Sequence, residues 1–514
     1  MKTSQRPVRR SERRSRRWRR WLAIAVGVVG VVVVATVVAA AWFYSRAGMS
    51  NVGELSFENP LRVPPLLEPT VGADGAKRFD LNVQAGESQF RDGTHTPTWG
   101  VNGAYLGPTI RASVGDRVEL AVANDTDDAT TIHWHGMHLP AEMDGGPHQA
   151  IDPGATWRPR WTIDQPAATL WYHPHLHGTT AEHVYRGAAG LFLLDDEASS
   201  GLDLPDEYGV DDIPLIIQDK AFNDDGTLDF EMPVGASLGI LGDHILVNGT
   251  HDPHLDVGRE RVRFRILNAS NARTYNLGFA GDRAFQLIAT DSGLLDAPIT
   301  LDRLPLSPGE RAEIVIAFSP GDHAVLRSFE PELGLDFWTS RFNGGDDTFD
   351  VIQFRAADRL EPSPAVPDTL VAQRPHDPAD AVATRTFHLG GNAINGDPMD
   401  MDRIDQVVTV DTTEIWEIDG SGMAHNFHPH DTRFKILDVD GRPPPAHLRG
   451  WKDTVPIPDG TTVRVILAFS DYTDPATPYM FHCHILRHED KGMMGQFVVV
   501  EPGQTPERPH DHGG

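Results

Sequence analysis

Four histidine pairs set the tightest limit on how this chain can fold, because each has a single residue between its two members. They are His133-Trp134-His135, His173-Pro174-His175, His428-Pro429-His430 and His482-Cys483-His484. Residues two apart share a face on an extended strand, where side chains alternate from side to side. The eight imidazoles are therefore expected in four matched pairs, two early in the chain and two near its end. The same parity turns Cys483 away from its flanking histidines. It also turns His425 away from His428 and His430.

Two metal sites follow from this sorting. One side holds Cys483 and His425, joined by His488 and Met493 from the loop beyond. Two histidines, a cysteine and a weak axial methionine make up the blue-copper electron-transfer set. The other side holds eight histidines, enough for three coppers with two, three and three ligands. Cys483 is continuous with His482 and His484, so a covalent path joins the two sites. A scatter of ordinary histidines explains neither this order nor the position of the only cysteine within it. His138, His148, His177 and His183 lie close to the clusters, and with eight places filled His177 belongs to the surroundings. The pair His251 and His254 beside Pro253 reads as ordinary histidines in a loop.

A single cysteine excludes any intramolecular disulfide, although the N-terminus marks the chain for export. Residues 1–20 carry ten Lys or Arg against Glu12, and an uncharged run of 24 residues follows from Trp21 to Tyr44. That run is long enough to cross a bilayer core as a helix. The basic flank keeps its first end in the cytoplasm. An uncleaved anchor is expected, and a signal peptide cut near Ala39-Ala40-Ala41 is the competing reading. Beyond residue 50 the chain has 34 basic and 72 acidic residues, a net charge of −38. Nucleic acid is excluded as a partner of such a surface.

Short β-type runs between Gly, Pro, Asn and Asp turns fill the remainder, with no sustained helical period. This predicts an all-β chain of sandwiches. The expected blocks are 60–198, 204–357 and 385–502, with a linker at 358–384 and a disordered tail at 503–514. The first and third blocks hold the metal ligands and the second holds none.

The order HWHG, HPH, HxxHxH and HCHxxxHxxxxM resembles the multicopper oxidases: laccases, cuprous oxidases, bilirubin oxidases and ferroxidases. The resemblance covers about residues 60–502 and includes Trp99–Gly103, Leu106–Ile110, Asp164–Thr169 and Gly450–Val455. It is nearest to the bacterial three-domain, copper-efflux type. It implies three cupredoxin-like Greek-key domains and four copper ions. A type 1 copper would sit on His425, Cys483, His488 and Met493, and a type 2 copper on His133 and His428. The type 3 pair would use His135, His173 and His484 on one ion, and His175, His430 and His482 on the other.

Asp144 and Glu489 carry over as proton suppliers, since reducing O2 to two waters consumes four protons. Met423 stands where copper-efflux enzymes bind substrate copper, but Ser421 replaces their nearby acid. The chain has only 11 methionines and no methionine-rich cover. The expectation is thus an open, laccase-like site for phenols or aromatic amines, reached at an outward edge of His425 or His488. The alternatives are a metal oxidase for Cu(I), Fe(II) or Mn(II) and a non-enzymatic electron-transfer cupredoxin. The last leaves the four histidine pairs unexplained.

Overall fold

Alternation of apolar and polar residues makes the strands. In Arg117–Asp125, Val118, Leu120 and Val122 turn inward while their neighbours face out. In Thr412–Gly420, Glu414, Trp416 and Ile418 do the same. The structure, a computed structural model, describes residues 9–507. Six sheets arise from such strands, with six, four, seven, six, five and five members. They pair into three sandwiches, each around its own apolar core. Phe79, Trp134, Tyr172 and Phe192 fill the first, Leu215, Phe264 and Phe354 the second, and Trp416, Phe427 and Phe481 the third. The all-β expectation is met.

The chain forms two compact units, Met1–Gly48 and everything from Met49 onward. The first contains the helix Arg9–Ala47. Its stretch Arg16–Ala47 is long and apolar enough to cross a membrane, a test that a signal sequence also passes.

Several edges differ from the sequence expectations. The strand Phe349–Glu361 runs into the expected linker, and Ala381–Gly390 begins inside it. Parallel pairing explains both extensions, since each strand continues along a neighbour: Arg259 opposite Glu361 and Ala381 opposite Thr413. The start of the first block crosses to the second, where Asn59–Pro60 pairs with Pro253–Arg259. His251 and His254 lie on adjoining strands instead of a loop, because Asp252 takes a positive φ of 54° and turns the chain between them. Part of the expected disordered tail is tied down, with Glu507 N donating to Pro475 O at 2.8 Å. Residues 508–514 of that tail, with His510 and His512, lie outside the described residues.

Strand register brings the histidine pairs together. His173 sits opposite His133 on antiparallel neighbours in the first sandwich. His428 sits opposite His482 in the third.

Candidate metal centre

All eight paired histidines are buried, and they meet between the first and third sandwiches. The Nε2 atoms of His175, His430 and His482 stand 3.0–3.2 Å from one another. Their far nitrogens settle which form each ring takes. His430 Nδ1 donates to Asp144 Oδ2 at 2.7 Å. His482 Nδ1 faces Glu489 Oε2 at 3.1 Å, and His175 Nδ1 faces Glu489 Oε1 at 3.4 Å. With protons on Nδ1, three lone pairs converge on one point. Three imidazoles bound to one metal ion at about 2.0–2.1 Å have nitrogens about 3.3 Å apart. The trio fits a cation.

A second trio, His135, His173 and His484, gathers in the same way, and a third set joins His133, His135 and His428. His133 Nε2, His135 Nδ1, His173 Nε2, His428 Nε2 and His484 Nε2 are buried and find no hydrogen-bond partner in the protein. Such orphaned acceptors are costly unless something binds them. His133 Nδ1 donates to Asp144 O at 3.0 Å and His428 Nδ1 to Asp453 O at 2.7 Å, which frees each Nε2 as a ligand. Burial, together with neighbouring imidazoles, drives His135, His173, His428 and His430 well below the ordinary histidine range. Burial likewise takes His175 and His484 down to about 3. Neutral rings are what a metal requires.

On the opposite face, His425, Cys483 and His488 form a separate group. Cys483 Sγ lies 3.8 Å from His425 Nδ1 and 3.7 Å from His488 Nδ1. Burial pushes the thiol up to about 12, so only a bound cation makes it a thiolate at neutral pH. Met493 is buried in the same core, and its backbone clasps both neighbours. Cys483 N donates to Met493 O at 3.1 Å, and Met493 N donates to His488 O at 2.9 Å. Cys483 and His425 thus gather with His488 apart from the eight paired histidines, as alternation expects of the first two.

The expected open edge is not there on the His488 side. His425 and His488 are only 5% and 4% exposed. The loop 221–243 of the second sandwich lies over His488, whose Nε2 faces Ser237 O at 3.4 Å. Asn343 Oδ1 holds that loop by accepting from Ser237 N at 2.8 Å and Leu238 N at 3.0 Å. Ser237 Oγ donates to the half-buried Met423 Sδ at 3.1 Å. On the His425 side the covering residues Ser421 and Gly422 are themselves exposed, while His425 Nε2 is buried beneath them.

Sequence reasoning missed these covering residues, because Ser237 stands 251 positions from His488 and carries no local signal. It also missed Asp453 and Thr454, whose Oδ1 and Oγ1 each lie 3.2 Å from His135 Nε2. Arg311 grips both Asp453 oxygens, at 2.6 and 2.5 Å. Burial would raise the Asp453 carboxyl, but Arg311 outweighs it and keeps the group ionised. The block Gly450–Val455 was the available signal. His138, His148 and His183 stand outside all the ligand groups, bonded to Asp431, Gln496 and Thr130 respectively.

Comparison with known proteins agrees with this geometry. Three stretches, 82–199, 218–333 and 361–503, match profiles described as multicopper oxidase. The multicopper oxidase mco of Staphylococcus aureus is 35% identical over 463 residues, covering 88% of this chain and 95% of that protein. Cell division protein FtsP of Edwardsiella tarda is 38% identical over 453 residues, covering 86% and 93%. Among solved structures, the laccase-like multi-copper oxidase CueO of the lignin-degrading bacterium Ochrobactrum sp. superimposes with a TM-score of 0.78. It is 38% identical, covers 86% of this chain and 100% of its own, and has oxidase activity towards lignin model compounds and lignosulfonate. With ligand geometry, family profiles and near full-length relatives in agreement, this chain belongs to the multicopper oxidase family.

Proposed function

We propose that the chain is a laccase-like oxidase that takes single electrons from phenols or aromatic amines and reduces O2 to water. In this reading three cupredoxin-like domains, 60–198, 204–357 and 385–502, carry four coppers on twelve ligands. The type 1 set is His425, Cys483, His488 and Met493, and the type 2 set is His133 and His428. The type 3 sets are His135, His173, His484 and His175, His430, His482. When bound, the coppers supply the one-electron steps between donor and O2. The observation that carries the reading is the convergence of three imidazole lone pairs at 3.0–3.2 Å.

The chain's own groups do the rest. Cys483 joins the donor side to His482 and His484 through two peptide bonds. Asp144 holds the Nδ1 proton of His430, Glu489 faces the Nδ1 atoms of His175 and His482, and both carboxylates are placed to pass protons inward. Burial would raise the Glu489 carboxyl, but His175 and His482 hold it well below the ordinary glutamate value. The N-terminal helix is read as an anchor that keeps the oxidase on the outer face of a membrane.

Met423 supports a second reading, since its thioether lies beside Ser237 of the covering loop and soft sulfur suits Cu(I). A purely structural role of the cell-division kind leaves the converging nitrogens without purpose. The test is copper loading of wild type and Cys483→Ser. The wild type should bind four coppers and be blue, and the variant should lose colour and turnover while keeping the other coppers. A fully loaded, colourless wild type refutes the assignment. Steady-state rates with dimethoxyphenol, Cu(I), Fe(II) and Mn(II) then decide between donors.

A further inference from the structure

An exposed polar triad stands on the His425 side of the site, and none of the candidate copper ligands belongs to it. His388 on the strand Ala381–Gly390 lies in register with Asp419 on the parallel strand Thr412–Gly420. His388 Nδ1 is hydrogen bonded to Asp419 Oδ1, and His388 Nε2 lies 3.1 Å from Ser421 Oγ. Ser421 N donates to Leu389 O at 3.0 Å, so the two strand ends close together around the triad. The next residues turn into the ligand His425. Gly422 takes a positive φ of 85°, and its N–H is held by Asp459 Oδ1 at 2.8 Å. The wall here is glycine: a Cβ at Gly420 would lie 3.0 Å from His425 Cδ2, and one at Gly390 would lie 3.1 Å from Ser421 Oγ. The exposed triad therefore lies only a glycine's thickness from the His425 ring, which is itself 5% exposed. His388 and Asp419 are about half exposed, and Ser421 is exposed, so a small donor can reach them.

We propose that His388, steered by Asp419 and relayed by Ser421, is the proton acceptor for phenolic donors oxidised on this side of the site. The inference rests on the phenol-oxidase reading and adds a residue to it. A phenol cannot give up an electron cheaply while it keeps its proton, so the acceptor must sit where the electron leaves. With its Nδ1–H donated to Asp419, neutral His388 presents a lone pair at Nε2, which accepts from Ser421 Oγ–H. As the phenol O–H breaks, its proton goes to Ser421 Oγ, and the serine proton goes to His388 Nε2. One electron enters at the His425 edge and leaves by the family's established route to O2. The products are an aryloxyl radical and an imidazolium stabilised by Asp419. An inorganic donor that loses no proton has no need of the triad.

The test uses the full, copper-loaded chain with two donors, dimethoxyphenol and hexacyanoferrate(II). His388→Phe should lower kcat/KM for the phenol by about 100-fold, the usual weight of a positioned base. It should leave hexacyanoferrate(II) within about twofold and the blue colour unchanged. Ser421→Ala and Asp419→Asn should fall between. The solvent isotope effect on phenol oxidation should change in His388→Phe. A readout without turnover is 4-nitrophenol, too hard to oxidise here, which should yellow on binding wild type at a pH where the free phenol stays colourless. His388→Phe should not produce that colour. Equal losses for both donors, or no loss for either, overturn the assignment. A wild type that oxidises hexacyanoferrate(II) but no phenol defeats the phenolic reading itself, and the assignment with it.

Discussion

His138 offers a way to weigh one contact between the first and third sandwiches. Its Nδ1 lies 2.7 Å from Asp431 Oδ1 and its Nε2 lies 3.1 Å from Asp471 Oδ2. Burial alone would lower the ring's affinity for protons, but Asp431 and then Asp471 outweigh it and bring the value to about 9. Raising a histidine from its ordinary 6.5 to about 9 is worth about 3 kcal/mol. Asp471 is 55% exposed and screened by water, so about 2 kcal/mol is the working figure. The folded value lies above the unfolded one. The contribution is therefore full below about pH 6.5 and fades as pH rises through about 9.

His138→Gln keeps an N–H for Asp431 and removes only the charge. Urea unfolding of wild type and variant, both copper-loaded, should differ by about 2 kcal/mol at about pH 6 and by less than about 0.5 at about pH 10. A difference of equal size at both pH values would refute the reasoning, since it would trace the loss to packing and not to the imidazolium.

Two further perturbations separate the two ends of the electron path. Glu489→Gln leaves one of the His175 and His482 Nδ1–H groups facing an amide N–H. Reoxidation by O2 should slow by about 100-fold, while anaerobic bleaching of the blue colour by a donor keeps its wild-type rate in stopped flow. Asn343→Ala removes the acceptor that ties Ser237 N and Leu238 N. It should cost about 1–3 kcal/mol in unfolding and lower KM for bulky phenols several-fold, with hexacyanoferrate(II) unaffected. An unchanged KM for bulky donors would show that loop 221–243 does not limit access.

The sorting of the paired histidines was legible because it depends on local geometry alone. Alternation decides that His133 and His135 point together whatever the rest of the chain does, and the ladder pairing His133 with His173 then needs only that the strands be neighbours. The cover over His488 was not legible for the opposite reason. Ser237 and Asn343 act through loop ends of the second sandwich, and nothing in their immediate sequence distinguishes them from any surface turn. The inference that a chain poor in methionine leaves its donor site open failed at this step. It treated cover as a matter of one residue type, whereas backbone carbonyls and a buried asparagine do the same work. The triad at His388 falls between these cases. His388 stands 31 and 33 positions before Asp419 and Ser421, and only the parallel register of two strands brings it to them.

The alternation also outlives the strands that justify it. Tyr479–His482 ends at the first of the last pair, and Ala168–His173 ends at the first of the second. His484 and His175 lie beyond those ends, yet each joins the ligand group that its parity requires. Other bonds hold the extended path there. Cys483 N donates to Met493 O at 3.1 Å, and His175 N donates to Thr131 Oγ1 at 2.7 Å. Cys483 is thus fixed facing away from His482 and His484 by the same backbone that links them. In the proposed function, electron delivery and O2 reduction then occupy opposite faces of three consecutive residues. A shift of one residue in this register would place the thiol among the eight histidines and leave the donor site without its sulfur. Single-residue insertions on either side of Cys483 should for that reason abolish the blue colour even where the sandwich still folds.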